Sequence, residues 1–277
     1  TGEIWIFGKG CRFLKGRESG PLLAEAVEIT LEGGLQEAGM EMHARGVLDG
    51  TAAAPDVSLK MAGRVFSRDR KLMLTEVQGT LGDFDFGLEE PSAIGGVKGD
   101  ITLAPTNFRF GSGNLVLEGR QGKDSIYGRL RINSFPLAAA AMFGQPALTG
   151  VLDGDVMLKG TPAAPTGSVS LNITDARLVS GTAEMPAPLT ATLEAFLNPG
   201  ECSAVLKADM KEVLHLESEV RLPVRLRLAP WLCELPLETG LSGKTQFEVH
   251  TRQFFPALGL VEHYLDGTAI GNFTVSG

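Results

Sequence analysis

The chain is poor in the residues that build metal sites, disulfide frameworks and aromatic cores. Only 3 of its 277 residues are cysteine, and the spacings of Cys11, Cys202 and Cys233 match neither a zinc site nor a disulfide framework. Aromatic residues make up 6% of the chain, with 2 tryptophans and 2 tyrosines. We therefore expect no metal and no cofactor, and we expect the cysteines to behave as small apolar side chains.

Long apolar runs and basic clusters are also missing. The most apolar run, Pro136–Phe143, is far too short to cross a bilayer as a helix. The formal net charge is -8, and no concentration of lysine and arginine resembles a nucleic-acid footprint, so we expect no nucleic-acid partner. The chain begins at Thr1 and ends directly after a strand-like segment, and we expect it to be an internal piece of a longer protein.

Glycine, in contrast, is abundant. The 35 glycines are about twice the number expected at the usual ~7%, and 15 prolines accompany them. This composition disfavours a helical bundle and favours many short strands joined by turns.

Period-two alternation is the dominant pattern, and it is clearest between Leu214 and Leu228. Apolar residues fill one parity except at Ser218, and charged residues or His fill most of the other. A strand places the two parities on opposite faces, whereas a helix would scatter them. Pro223 cannot donate a ladder hydrogen bond, so we expect a break, a bulge or an edge there.

Weaker alternation recurs along most of the chain, separated by Gly, Asp-Gly or Pro. It predicts strands around 28–32, 72–74, 101–103, 108–110, 115–117, 156–158 and 169–173. Helical spacing is confined to two short candidates, 135–143 and 253–265, which would cap a β surface. The sequence therefore predicts a mostly-β fold with one or two short helices.

An internal repeat supports a modular β architecture. Gly46–Gly50 and Gly150–Gly154 share the sequence Gly-Val-Leu-Asp-Gly, and each is followed by a Gly-Thr segment that ends in Ala-Pro. A third partial copy is Leu265–Thr268. We expect a single elongated β-repeat region over 1–277, with possible sub-units 1–135, 136–235 and 236–277.

Catalytic motifs are weak or incomplete. Gly240–Thr245 ends like a phosphate-binding loop, but the position that needs the first glycine is a glutamate, and a strand-like segment follows. Asp83 and Asp85 could share a strand face, yet the repeat that builds calcium-binding β-rolls is missing, so a solvated polar face is the simpler reading. The four histidines are dispersed and match no zinc-binding pattern. We expect a protein that is not an enzyme.

The segment from Leu148 to Leu171 resembles the recurring unit of the TamB family of AsmA-like bacterial envelope proteins. The shared features are Leu-x-Gly, a glycine-punctuated strand, Gly-Thr with a nearby Pro, and a further apolar strand. Pro136-Leu137 resembles the short linker that precedes such a unit, and Pro236-Leu237 with Leu241-Ser242-Gly243 begins a later copy. The resemblance covers about residues 40–277, with irregular repeat lengths and an atypical acidic stretch at 195–235.

This resemblance implies an elongated, curled β-sheet: a taco-like trough, or open β-solenoid, with an aliphatic concave face. It implies a periplasmic location in an inner-membrane-anchored protein, whose anchor lies outside this chain. The implied partners are phospholipid acyl chains and an outer-membrane β-barrel assembly factor of the TamA type. The implied role is passage of phospholipid between the inner and outer membranes, support of outer-membrane protein assembly, or both.

An aliphatic strand face needs an apolar partner, which in an open trough can be an acyl chain and in an ordinary sandwich is a second sheet. We predict that glutamate at Val224 or Leu226 blocks lipid association and leaves the strands intact. The candidate lipid-contacting residues are Leu214, Leu216, Val220, Leu222, Val224, Leu226, Leu228, Val156, Leu158, Val169, Leu171 and Ile173. Two alternatives remain open: a scaffold that offers sheet edges to the strands of outer-membrane proteins, and a passenger-type adhesin solenoid with a packed interior.

Overall fold

Strands account for 81% of the chain and helices for 3% in the computed structural model, so the predicted mostly-β fold is confirmed. The structure describes residues 2–13, 22–34, 36–48, 56–97, 99–143, 148–179, 187–228, 231–236, 240–252, 254 and 266–276. The chain divides into unit 1, Thr1–Lys123 with Ala139–Gln145, and unit 2, Asp124–Ala138 with Pro146–Gly277. The sub-units expected from the sequence stay a prediction.

Unit 1 is an antiparallel sheet in which most strands pair with the next along the chain. Its strands are β1 (Gly2–Phe13), β2 (Leu22–Gly33), β3 (Glu37–Leu48), β4 (Asp56–Phe66), β5 (Lys71–Leu81), β6 (Phe84–Leu88), β7 (Ser92–Val97), β8 (Asp100–Phe110) and β9 (Gly113–Gln121). β6 and β7 share one strand position, because β6 pairs with the second half of β5 and β7 with the first half.

β5 contains a bulge. Without it, Leu74 and Val77 would lie on opposite faces of the strand, because they are an odd number of positions apart. Val77 lies opposite Met61, but after the bulge Leu74 lies opposite Gly63, and Thr75 has no ladder partner on β4. The extra residue lets Leu74 and Val77, three positions apart, lie on the same apolar side, and both are buried. The Thr75 hydroxyl donates to the Ala62 carbonyl at 3.2 Å, which anchors the bulge.

Unit 2 is also an antiparallel meander. Its strands are β10 (Ile126–Pro136), β11 (Leu148–Thr161), β12 (Ala164–Leu178), β13 (Leu189–Asn198), β14 (Gly200–Met210), β15 (Leu214–Leu228), β16 (Trp231–Glu234), β17 (Ser242–His250) and β18 (Thr268–Ser276). The ladders run from β10 to β15 in chain order and continue from β15 through β17 to β18.

β15 covers the segment where the alternation is clearest, and its neighbouring strand position is interrupted at Pro223. β17 pairs with β15 up to Arg221, and β16 pairs from Arg225 onward. The residues between them have no ladder partner in β16 or β17. Of the break, bulge or edge expected at Pro223, the described structure shows an edge position, because β15 continues through Pro223 and remains paired with β14 there.

Helix is confined to short pieces in the described residues. A 3-10 helix, Leu137–Phe143, lies between β10 and β11, where the sequence predicts a short helix over 135–143; Phe135 and Pro136 instead end β10. Thr251, Arg252 and Phe254 are helical, but 253 and 255–265, most of the second predicted helix, lie outside the described residues. No helix in the described part of the chain is long and apolar enough to cross a membrane.

Candidate functional site

The register of unit 2 places the apolar parity of successive strands on one side of its sheet. Leu216 of β15 lies opposite Ala208 of β14, which lies opposite Ala191 of β13. Ala191 in turn lies opposite Ile173 of β12, and Ile173 lies opposite Leu152 of β11. Because directly opposed residues point to the same face of a sheet, this chain of partners defines a continuous surface.

We call this surface the apolar face. Its aliphatic, cysteine and aromatic members include Ile126, Leu130, Ile132, Phe135, Leu152, Val156, Leu158, Val169, Leu171, Ile173, Ala176, Leu189, Ala191, Leu193, Ala195, Leu197, Cys202, Ala204, Leu206, Ala208, Met210, Leu214, Leu216, Val220, Leu222, Val224, Leu226, Leu228, Cys233, Phe247, Val249, Ala269, Phe273 and Val275.

All twelve candidate residues from the sequence lie on the apolar face, and all twelve are half-buried. The structure brings together the residues of the hairpin β11–β12 and those of β15, which lies more than thirty residues later in the chain. Their contact with lipid stays a prediction.

Sequence reasoning missed the two strands that join these groups. β13 carries Leu189, Leu193 and Leu197 on the apolar face, and β14 carries Leu206 and Met210. The signal was present, because Leu and Ala alternate with polar residues along β13. β14 lies in the stretch at 195–235, whose acidic residues instead made it look like a departure from the repeat pattern.

The opposite face of the same strands is mostly polar. Arg129 of β10 donates to both carboxylate oxygens of Asp155, with its Nε 3.0 Å from Oδ2. Lys207 of β14 donates to Glu217 of β15 at 2.9 Å. That hydrogen bond and the charge of Lys207 hold the pKa of the Glu217 carboxyl below its ordinary value, with smaller contributions from His215 and Lys244. The sheet is therefore two-sided, with its ion pairs on this face, although Met157, Phe196 and Val205 also lie on it.

The buried apolar side chains of unit 2 lie near strand ends. Ile126 and Pro165, which both neighbour Gly160 in the ladder, are buried at one end. Met210, Val213 and Ala176 are buried at the other end. Between these ends, the described side chains of the apolar face keep partial contact with solvent. In a β-sandwich, a second sheet would cover the middle of such a face. No second layer of described residues covers it in unit 2.

The sheet of unit 2 curls strongly at the end that holds Pro165. The Leu228 amide at the tip of β15 donates to the Pro162 carbonyl in the β11–β12 turn at 2.7 Å. β12 and β15 are three strand positions apart, which would separate them by about 14 Å in a flat sheet. Because Pro165 belongs to the apolar side and is fully buried, the curl closes over that side.

A cleft of about 260 Å³ lies at this end. The β11–β12 turn, the β13–β14 turn and the tip of β15 form its walls. Pro165, Leu197 and Leu226 supply apolar lining, and Arg225 and Arg227 lie beside them. The cleft therefore joins the apolar face to positive charge.

Two glycines of the Gly150–Gly154 repeat have structural explanations in β11. Gly150 has a φ of 114° at the point where the β11–β12 register shifts, a conformation that other residues rarely adopt. A Cβ on Gly154 would lie 2.5 Å from Cδ2 of Leu171. Gly154 thus lets the Leu171 side chain pack across the strand on the apolar face.

The incomplete phosphate-loop motif and the Asp83/Asp85 pair do not form a phosphate-binding or metal-binding site in the described structure. Lys244 and Thr245 lie inside β17, where they pair with β15 and β18, so no helix N-terminus follows the glycines. Asp83 and Asp85 are both exposed near the β5–β6 turn. Within the described ranges, no group of three metal-ligating side chains comes together.

Comparisons with family models, with curated proteins and with solved structures return no match for this chain.

Proposed function

We propose that the apolar face of unit 2 binds the acyl chains of phospholipids. In this proposal the chain is a non-catalytic part of an inner-membrane-anchored periplasmic protein that passes lipid between the inner and outer membranes. The observation that carries the proposal is a continuous apolar face, half-exposed along its middle and backed by a polar, ion-paired face. The resemblance of Leu148–Leu171 to the TamB repeat supports the location.

The energetics of acyl-chain burial are sufficient for such binding. Each buried methylene contributes about 0.8 kcal/mol. A chain of about sixteen carbons that buried half of its methylenes would gain about 6 kcal/mol, and a second chain would add a similar amount. No directional contact is needed, because this driving force scales with the apolar area removed from water.

The chemistry of the face favours movement along it rather than one fixed site. Leu, Val, Ile and Ala dominate its middle, and these side chains carry no polar group that would hold a ligand in one place. Its ring pair, Phe247 with Phe273 at a centroid distance of 5.8 Å, lies toward the β18 side. A row of weak and similar contacts lets an acyl chain shift by one strand spacing without losing its environment.

The adhesin alternative fits the burial pattern less well. A passenger-type solenoid would enclose a packed apolar interior. In the described part of unit 2, the fully buried apolar side chains are few and lie near strand ends. The half-exposed middle of the face is the opposite of such an interior.

A second candidate function, a strand-binding scaffold for outer-membrane proteins, draws support from β18. This strand has a described ladder with β17 alone, and most of its residues are exposed. Unpaired backbone amides and carbonyls at a sheet edge can bind an incoming strand. A TamA-type assembly factor is the partner that this role proposes, and the two roles are compatible.

A matched pair of substitutions on β13 tests the acyl-chain proposal. Leu193→Glu places a charge on the apolar face, and Thr192→Glu places the same charge one residue away on the polar face. We expect Leu193→Glu to lower the uptake of a fluorescent phospholipid at least tenfold and Thr192→Glu to leave it within twofold, because an unpaired charge is costly in an apolar contact. Circular dichroism checks that both variants keep their strands. Equal uptake by the two variants would contradict the proposal.

A further inference from the structure

We propose that the cleft at the curled end of unit 2 binds the phosphate of a lipid head group through Arg225 and Arg227. This inference rests on the proposed function and gives it a substrate class and an orientation: phosphate-bearing lipids, with their acyl chains along the apolar face and their phosphate at the cleft.

Neither of these two arginines forms an ion pair with a described residue. No described carboxylate lies within 4.0 Å of either guanidinium, and neither side chain has a hydrogen-bond partner among the described residues. Glu234 lies opposite Arg225 in the β15–β16 ladder, yet the two form no ion pair. By contrast, Arg129 and Lys207 on the same face of unit 2 are paired with carboxylates. Two unpaired guanidinium groups two residues apart are suited to a phosphate, which arginine binds through paired hydrogen bonds.

The position of the pair fits an amphipathic ligand rather than a free anion. Arg225 and Arg227 flank Leu226, which belongs to the apolar face and lines the same cleft as Leu197 and Pro165. A phosphate at the arginines would therefore lie at the end of an apolar surface that can take the attached acyl chains. An inorganic phosphate would use only the charged part of this arrangement.

Because the sheet curls at this end, the accessible part of the apolar face ends at the cleft. The hydrogen bond from Leu228 to Pro162 draws the tip of β15 over the β13–β14 turn, and Ile126 and Pro165 are buried at this end. An acyl chain cannot continue past buried side chains, so the head group is the part of a lipid that fits here. The arginines would then set which end of the lipid points toward the cleft.

Two lipids that differ only in the phosphate test this inference. The probes are phosphatidic acid and diacylglycerol with identical fluorescent acyl chains, and inorganic phosphate serves as a competitor. The test variant is Arg225→Gln/Arg227→Gln, and the control variant, Arg131→Gln/Lys244→Gln, removes the same charge from the polar face of β10 and β17.

We expect the unmodified chain to bind phosphatidic acid about tenfold more tightly than diacylglycerol, because charge-assisted hydrogen bonds of the head group are lost in the second lipid. The test variant should lose that preference and still bind diacylglycerol, and the control variant should keep the preference. Inorganic phosphate at equal concentration should not displace phosphatidic acid.

Other outcomes separate the two proposals. Binding of both lipids with equal affinity, unaffected by either variant, would overturn the head-group site and leave the acyl-chain proposal standing. Failure of both lipids to bind would overturn both proposals. Inorganic phosphate binding as tightly as phosphatidic acid, with the same dependence on the two arginines, would show a free-anion site and overturn the lipid assignment.

Discussion

Ser218 Oγ and Thr245 Oγ1 lie 2.8 Å apart and form a hydrogen bond across the β15–β17 ladder. Ser218 is the one polar residue in the apolar parity of β15, and its directly opposed partner supplies the hydroxyl that satisfies it. A similar pair, Ser92 with Thr106, is buried on the apolar side of unit 1. In both pairs the two hydroxyl groups satisfy each other, which limits the cost of a polar group on an apolar side.

The Ser218–Thr245 pair predicts a non-additive mutational effect. Ser218→Ala should lower the free energy of unfolding by about 1 kcal/mol, because Thr245 loses its partner. The double variant Ser218→Ala/Thr245→Val should be no less stable than the single variant, since no hydroxyl is then left unpaired. Urea denaturation measures both values. Strictly additive losses would show that the hydrogen bond carries no coupling.

The bulge in β5 predicts that one deletion is tolerated. Removal of Thr75 leaves Leu74 and Val77 on the apolar side, because the regular alternation then runs unbroken through both residues. Removal of Gln78, an exposed residue in the regular part of β5, shifts every later residue to the wrong face. We expect the Gln78 deletion to cost at least about 2 kcal/mol more than the Thr75 deletion in chemical denaturation, from the loss of buried apolar side chains. Equal costs would mean that the bulge does not set the register.

Pro223 predicts a difference between two positions on the same face of β15. Pro223→Thr should change stability by no more than about 0.5 kcal/mol, because β15 has no β16 or β17 ladder partner at this point. Glu219→Pro should cost about 2 kcal/mol or more, because Glu219 lies opposite Lys244 within an uninterrupted ladder. Thermal unfolding of the two variants gives the comparison. A tolerated Glu219→Pro would contradict the assigned register.

The Lys207–Glu217 pair predicts a specific titration shift. Glu217 has a pKa below its ordinary value, chiefly because Lys207 donates a hydrogen bond to the carboxylate. Lys207→Gln should therefore raise the pKa of Glu217 toward that ordinary value, which an NMR titration of the side-chain carboxyl detects. Since the folded pKa is the lower one, any stabilisation from the pair is present above the unfolded pKa and is lost as the pH falls through the folded pKa. The gain is small, because both side chains are exposed.

Local alternation was enough to predict the mostly-β fold and the two faces of the strands that it identified, although it missed β13 and β14. β15 has the bounds that the pattern of Leu214–Leu228 indicated, and Pro223 lies at an edge position, one of the places where proline is tolerated in a sheet. Period two in the sequence corresponds directly to faces in a strand, so one strand can be read without its neighbours.

Pairings between distant segments could not be predicted in the same way. Ser218 and Thr245 are separated in the chain by the end of β15 and all of β16, and nothing in either residue's surroundings specifies the partner. The bulge at Thr75 could not be predicted either. The apolar alternation before Leu74 and the one after Val77 are out of step, and the sequence does not say which residue between them is the extra one. The curl that brings Leu228 to Pro162 joins residues that are 66 positions apart in the chain, and local alternation carries no information on such a contact. The cleft beside Arg225 and Arg227 follows from that curl and was therefore missed.

Native mass spectrometry of the chain purified from bacteria, followed by identification of the released lipid, is the most direct test of the acyl-chain proposal. The proposal predicts co-purifying phospholipid at one or more copies per chain, retained by the Thr192→Glu variant and lost in the Leu193→Glu variant. A lipid-free mass, with no uptake of added phospholipid by the folded chain, would contradict it and would make the apolar face an ordinary structural surface.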